Sequence, residues 1–458
     1  MKPSNSFTGK LTKIFQRTPL PKTGLYHYRR EGDDEKTRIH LRIDPDGRGL
    51  LIVNANRVVH LNPSAAAMTY FHLEGLTPET ASKALQREFS ISAKAVQNDF
   101  MDFTNQLEEL LRPDGACPIC ELDLETTAPF SAKPSAPYRM DLAITYRCNN
   151  NCSHCYNARS RQYPELSLEE WKEVIDRVWD QRIPHIVFTG GEPTLYPHLT
   201  ELIAYAESLG VITGLNTNGR RLADPAFVQS LVDAGLDHVQ ITLESHDPAI
   251  HDLMVAARGA WEETVAGVRN VIASPLYIMT NTTLLTHNSP TVRETLHFLG
   301  ELGVPTVGLN ALIYSGKGEE VDTGLAEEAL PPLLEIAREV TEAQGQRLIW
   351  YTPTQYCHFN PLQLDLGVKG CTAALYNMCI EPNGDVIPCQ SYYQALGNML
   401  QDPWKSIWEH PLALSLRNRS DVPEGCLTCE FLPECGGGCP LAREHQTIQP
   451  IQNPIFSK

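Results

Sequence analysis

Between Tyr138 and about residue 345 one pattern recurs six times: a short apolar run rich in β-branched residues, then a helical segment. The runs are "MDLAIT", "HIVFT", "VITGLN", "HVQITL", "YIMTNTTL" and "TVGLNA", and the segments between them include "SLEEWKEVIDRVWDQ" and "PHLTELIAYAESLG". Strands separated by helices of this length pair in parallel, because the crossover helix carries the chain back to the same end of the sheet. The pattern predicts an α/β fold, a partial (β/α)6 TIM barrel, with a doubly wound open sheet as the alternative. In the barrel, the carboxyl ends of the strands carry the chemistry.

The repeats do not fill the chain, which at 458 residues is too long for one ordinary core. Upstream, "TRIHLRID" and "GLLIVNANRVVHL" gather β-branched residues around turn signals at Asp46-Gly47 and Asn54-Ala55-Asn56, which predicts a short antiparallel sheet. Three helices are expected to follow. "PSAAAMTYFHLEG" opens at Pro63 and closes at Gly75, and "TPETASKALQREF" has Thr77 as N-cap and Pro78 in the first position. The third runs from about Ser92 to Leu111, with Val96, Phe100, Phe103, Leu107 and Leu110 along one face. Strands then helices make a winged-helix-like module, domain 20–112. Residues 113–137 are rich in Pro, Ser and Thr without a sustained period and read as a linker. The repeats occupy 138–345. The tail, 346–458, reads as short strands, turns and eight cysteines from Cys357 to Cys439, so metal rather than a large apolar core is expected to organise it.

No 18-residue apolar run exists, and the first residues lack an apolar stretch followed by a cleavage site, so neither a membrane span nor a signal peptide is predicted. The expected location is the cytoplasm. Thiols stay reduced there, so thirteen cysteines that cluster read as metal ligands or catalytic groups, not as disulfides. A formal charge of −17, from 38 Lys and Arg against 55 Asp and Glu, disfavours a phosphate-backbone partner and so excludes nucleic acid from the expected ligands.

"CNNNCSHCYNARS" follows the first strand and places Cys148, Cys152 and Cys155 in eight residues, with no fourth cysteine. Thiolates at this density favour zinc or an iron-sulfur cluster. Zinc completed by His154 requires that residue, between Cys152 and Cys155, to turn the same way as both neighbours; plain structural thiols are the other alternative. The stretch resembles the Cys-x3-Cys-x2-Cys signature of the radical S-adenosylmethionine (radical SAM) superfamily, with His154 in the aromatic-type position before the last cysteine and Tyr156 after it. The resemblance implies that the three cysteines hold a 4Fe-4S cluster whose open iron is chelated by S-adenosylmethionine. Three further matches lie at strand ends. "TGGEP" carries Gly190, Gly191 and Glu192, the motif that receives the methionine ammonium, and glycines permit close backbone approach while a carboxylate pairs with a cation. "NTNG", Asn216 to Gly219, and "TLES", with Thr242 and Glu244, match positions on the ribose side, although the family more often has Ser and Asp in the latter pair. The chemistry implied is reductive cleavage of the cosubstrate to a 5′-deoxyadenosyl radical that abstracts hydrogen from an unactivated position, the protein orienting and shielding it. No catalytic acid or base stands out.

In the tail, "CTAALYNMCIEPNGDVIPC" gives Cys371, Gly384 and Cys389, and "CLTCEFLPECGGGC" gives Cys426, Cys429, Cys435 and Cys439. These spacings resemble the SPASM extension of radical SAM peptide-modifying enzymes, with one or two auxiliary iron-sulfur clusters; a zinc ribbon would strand several cysteines. By that resemblance the first auxiliary cluster takes Cys371, Cys389 and Cys439, with Cys379 as a candidate fourth ligand, and the second takes Cys426, Cys429 and Cys435. The family's last cysteine is missing from "PLAREHQTIQPIQNPIFSK", which leaves His445, Glu444, an open iron or a degenerate cluster as the options. Cys357 reads as a structural thiol in preference to a spare ligand, and Cys117 and Cys120 as reduced thiols in preference to a shared metal site.

The N-terminal module resembles the recognition element (RRE) of maturases of ribosomally made peptides (RiPP maturases), a relative of the pyrroloquinoline-quinone peptide chaperone, which binds a leader as an added strand at a sheet edge. A DNA-binding winged helix is opposed by the acidic balance. The reading expected from all parts is an oxidoreductase: a radical SAM/SPASM maturase that crosslinks or otherwise oxidises a precursor peptide bearing a leader, supplied with electrons by an external flavodoxin or ferredoxin. A radical SAM/SPASM enzyme acting on a small molecule, a tetrapyrrole or a side chain of a partner enzyme is the alternative, and a non-catalytic iron-sulfur scaffold the third.

Overall fold

A computed structural model describes residues 19–31, 36–54, 57–89, 93–111 and 134–448. The chain divides into two compact units, Met1–Ala128 and Pro129–Lys458.

In the first unit four antiparallel strands pair in chain order: β1 (Gly24–Glu31), β2 (Lys36–Ile43), β3 (Gly49–Val53) and β4 (Arg57–Leu61). Alternation in β2 turns Ile39, Leu41 and Ile43 to one face, where they pack with Leu51, Val59 and Leu61 and with Phe103, Leu107 and Leu110. The latter three belong to α3 (Ala93–Leu111), which follows α1 (Pro63–Leu73) and α2 (Pro78–Phe89). Asn62 caps α1 by accepting the Ala65 N–H, and the Thr77 hydroxyl stands before α2 within 3.4 Å of the Thr80 N–H. The side chain of Val96 lies outside the described residues. Strand β1 is not foreseen from the sequence, because "GLYHYRRE" has no apolar alternation.

The second unit is built on one ten-stranded sheet of order β11-β10-β9-β8-β7-β6-β5-β12-β13-β14. Its parallel series is β5 (Arg139–Thr145), β6 (His185–Gly190), β7 (Ile212–Thr217), β8 (His238–Thr242), β9 (Tyr277–Thr283), β10 (Thr306–Asn310) and β11 (Arg347–Trp350). The first six are the six sequence runs. The seventh, "RLIW", is too short to show a period. On the other edge the tail enters the same sheet: β12 (Asn377–Ile380) runs parallel to β5, with Cys379 opposite Asp141, and β13 (Asp385–Ile387) and β14 (Gly397–Asn398) add on antiparallel. The tail is therefore no metal-organised appendage alone, since backbone pairing continues the barrel sheet into it.

Helices between the strands cover one face. In α4 (Leu168–Asp180), Trp171, Val174, Ile175 and Val178 are buried against Met140, Leu142 and Ile144 of β5, each such side chain contributing about 1.5–3 kcal/mol. Ser167 and Glu170 close a capping box at its start. The period of two then decides what the opposite face carries. Leu215, Val239, Ile241, Val307 and Leu309 join the helix-covered core, while their neighbours Asn216, Gln240, Thr242 and Asn310 line a cavity.

Candidate radical and iron-sulfur centres

The cavity, about 260 Å³, opens at the carboxyl ends of β5 to β10. Cys148, Cys152, Cys155, His154, Tyr156, Gly190, Gly191, Asn216, Thr242 and Glu244 all line it, so ten of the residues singled out in the sequence converge on one space.

The cysteine loop is held from several sides. Its backbone takes Asn151 N–H to Val255 O (2.9 Å) and Ser153 N–H to Met254 O (3.1 Å). Arg161 donates to the carbonyls of Cys148 and Asn150, and the Lys317 N–H donates to the Cys155 carbonyl at 2.9 Å. Burial pushes the Cys148 thiol up to about 11 and raises Cys152 further, and the neighbouring sulfurs add to both shifts. Half-buried thiols gathered in one loop suit a cationic centre that draws off their protons. Among the described residues no three Cys, His, Asp or Glu side chains converge tightly enough for a single metal ion. Three thiols on one loop lining an open cavity are a donor set that fits an iron-sulfur group, in which each thiolate takes its own iron.

His154 is turned elsewhere: its Nε2 lies 3.0 Å from Oε1 of Glu244, and both side chains are buried. The other Glu244 oxygen accepts the Thr283 N–H at 2.8 Å, so the pair ties the cysteine loop to β8 and β9. Tyr156 reaches Gln390 at 3.5 Å, and burial raises its hydroxyl well above the usual range.

Gly190 and Gly191 are required by the protein's own backbone. Gly190 has φ +135°, and a Cβ there would sit 2.0 Å from the Thr145 carbonyl oxygen; at Gly191 it would sit 2.4 Å from that of Arg147. The turn is sewn to the exit of β5 by Gly191 N–H to Thr145 O and Glu192 N–H to Arg147 O, each 2.8 Å. Glu192 is buried and does not line the cavity. Its carboxylate accepts from the Thr194 N–H and hydroxyl, the Thr217 hydroxyl and the Asn218 N–H, at 2.6–3.1 Å. Gly219 continues that turn with φ +77°.

Sequence reasoning passed over Gln240, Asn281 and Asn310, which line the cavity beside Asn216 on adjacent strands, with Asn310 donating to Asn281 at 2.9 Å. The available signal was an amide in each of the last four apolar runs. Lys317, in the short helical turn Gly316–Glu319, and Arg159, near the end of the cysteine stretch, are also in the lining.

The tail cysteines form two groups. Cys371, Cys389 and Cys439 are half-buried, desolvation raises each thiol, and the mutual repulsion of their thiolates adds to the shifts of Cys371 and Cys439. Cys379 packs among Ala143, Tyr146 and Ile387, its thiol raised first by burial, then by Asp141 and Cys389. The second group is Cys426, Cys429 and Cys435; burial and then the other two sulfurs raise Cys426. Gly384, with φ +89°, turns the chain between β12 and β13. Glu444 is exposed, and the His445 ring stacks on Tyr314 at 4.3 Å and donates to the Glu319 carbonyl. Cys117 and Cys120 lie outside the described residues.

Residues 142–311 match the family model of the radical SAM superfamily, and residues 371–430 that of an iron-sulfur cluster-binding domain, SPASM. A PqqA peptide cyclase from Rhizobium meliloti is 30% identical over 322 residues, 66% of this chain and 82% of that protein. An AdoMet-dependent heme synthase from Methanosarcina barkeri is 27% identical over 327 residues, 67% of this chain and 92% of that one. Among solved structures, Streptococcus suis SuiB bound to its precursor peptide SuiA shares 16% identity and a TM-score of 0.64 over 91% of this chain and 96% of its own. Residues 129–458 alone cannot supply that share, so the common fold takes in the N-terminal unit.

Proposed function

The chain belongs to the radical SAM superfamily and carries its iron-sulfur SPASM extension, and on that premise we propose that it is a maturase that oxidatively modifies a ribosomally synthesised peptide, by a crosslink or a related change. The observation that carries this reading is the 30% identity to a peptide cyclase across most of that enzyme's length. The fold shared with a peptide-bound neighbour over nine tenths of the chain supports it.

Cys148, Cys152 and Cys155 would hold the cluster, which when bound supplies the electron that cleaves S-adenosylmethionine to the 5′-deoxyadenosyl radical. The residues around it position and shield. The amides of Asn216, Gln240, Asn281 and Asn310 offer both donors and acceptors to a nucleoside, and the apolar core behind them excludes water. We assign 20–112 to recognition of the leader, 113–137 to a linker, 138–345 to the radical core and 346–458 to the auxiliary clusters. The N-terminal sheet has β1 and β4 as outer strands among the described residues, each an edge to which an extended leader can add. An external flavodoxin or ferredoxin supplies electrons, and a cytoplasmic location accords with the reduced thiols; no helix of the described residues is long and apolar enough to cross a membrane.

A tetrapyrrole or other small-molecule substrate is favoured by the heme synthase relative, whose match covers two thirds of the chain, as that of the peptide cyclase does, and leaves the N-terminal unit to decide. The separate N-terminal unit is better explained by a peptide. The test is co-expression with a short peptide encoded beside this protein, followed by mass spectrometry, and a loss of two hydrogens is expected. The reduced, reconstituted protein should cleave S-adenosylmethionine to 5′-deoxyadenosine. Replacing Cys148, Cys152 and Cys155 by Ala should abolish that product and leave the tail's iron in place. Failure of the unaltered protein to form 5′-deoxyadenosine would sink both enzymatic readings.

A further inference from the structure

The second tail group has three cysteines, and the segment that wraps the most buried of them brings a fourth. Cys435 Sγ accepts the Tyr356 N–H at 3.4 Å and lies 3.6 Å from the Thr354 carbonyl oxygen. The segment is pressed onto the glycine run that follows Cys435. At Gly438, φ +74°, a Cβ would meet Gln355 Cγ at 2.9 Å and Gln355 N at 3.0 Å. The Tyr356 and Phe431 rings stand 6.1 Å apart, which fixes the same segment to the stretch between Cys429 and Cys435. On its far side the Gln355 N–H donates to Glu327 at 3.0 Å, and the Gln355 carbonyl accepts from His358 and Phe359 in a closed turn.

Cys357 is in that turn. It is exposed, so packing gives no reason for a thiol there. It directly follows Tyr356, whose N–H reaches Cys435 Sγ, so the backbone that carries Cys357 is the one laid against this group. Of the alternatives, His445 stacks on Tyr314 and donates from Nε2 to the Glu319 carbonyl.

The geometry points to Cys357 as the fourth protein ligand of the second auxiliary cluster, completing Cys426, Cys429 and Cys435. It rests on the tail's binding iron-sulfur clusters at all. The cluster's fourth ligand would come from upstream of the block. The group would then be a full four-thiolate site, closed to substrate and suited to passing electrons.

The test uses full-length protein in which Cys148, Cys152 and Cys155 are all Ala, so that only tail clusters remain. Iron and acid-labile sulfide are measured after anaerobic reconstitution, with Mössbauer and EPR spectra. Cys357→Ala in that parent should lose from about one iron, leaving a three-iron cluster, to about four. Cys357→Ser should keep iron and shift the spectra, since oxygen replaces sulfur at one iron. Because Cys357 is exposed, the apo chain should melt at the parent's temperature, which separates ligand loss from misfolding. Iron and spectra unchanged in Cys357→Ala would overturn the proposal, as would the same loss on His445→Ala with Cys357→Ala silent. A parent without any iron would instead overturn the cluster reading, and this one with it.

Discussion

At Gly191 a single hydrogen decides whether the exits of β5 and β6 can touch. A methyl group would lie 2.4 Å from the Arg147 carbonyl oxygen and 2.6 Å from that of Tyr146, both backbone atoms that cannot rotate away. Gly191→Ala is expected to cost about 1–3 kcal/mol as overpacking, measured by denaturant unfolding, and to weaken S-adenosylmethionine binding because the turn lines the cavity. Wild-type stability in that variant would show the turn to be free to move. The Gly-Gly-Glu motif was legible in the sequence, but its physical reason was not. Close approach was expected toward a ligand; the glycines also permit the contact between the exits of the paired strands β5 and β6, which no local pattern reveals. The Glu192 carboxylate illustrates the same limit. Its hydrogen bonds run to Thr194, Thr217 and Asn218, so it braces two strand exits.

Elements are tied by charge at two places the sequence could not announce. Arg159 forks onto Glu381 at 2.7 and 2.8 Å, joining the loop after β5 to the turn after β12, and Tyr146 donates to the same carboxylate. Glu381 is fully buried, so Arg159→Ala leaves a charge without its partner and is expected to cost about 3 kcal/mol, the low end of the range because the guanidinium is partly exposed. Denaturant unfolding measures it, and a change below about 0.5 kcal/mol would mean that water replaces the arginine. In the first unit Arg30 of β1 forks onto Glu108 of α3 at 2.7 and 2.9 Å. That fork and the neighbouring His72 hold the carboxyl down at about 2 from 4.5, against the opposing effect of burial. A depressed acid stabilises above its unfolded pKa and loses that contribution as protons return. The tie should therefore be intact above about pH 4.5 and fade as pH falls through about 2, worth under about 1 kcal/mol because both side chains are two-fifths exposed. Glu108→Gln should flatten the acid limb of the first unit's unfolding curve, and an unchanged limb would remove the pair from the account. Long apolar runs made β5 to β10 and α3 legible. Strands β1 and β11 escaped notice, one carrying its stability in polar and aromatic contacts, the other in four residues of pairing.

For the whole molecule, the proposal that the first unit holds an extended leader while the second carries the radical chemistry predicts that recognition and chemistry separate. Removing the leader from the substrate peptide should raise its Kd at least about tenfold, about 1.4 kcal/mol, a loss that one or two net backbone hydrogen bonds account for. Formation of 5′-deoxyadenosine without peptide turnover should persist, because among the described residues those that line the cavity belong to the second unit. Strand addition makes a sharper prediction than affinity alone. In a ladder, successive residues of the added strand present their N–H groups alternately toward the sheet and away from it. Proline lacks that N–H, so a proline scan of the leader should weaken binding strongly at every second position and little between. A uniform response along the leader, or one with a period near three or four, would point to a helical or side-chain mode and take the edges of β1 and β4 out of the mechanism.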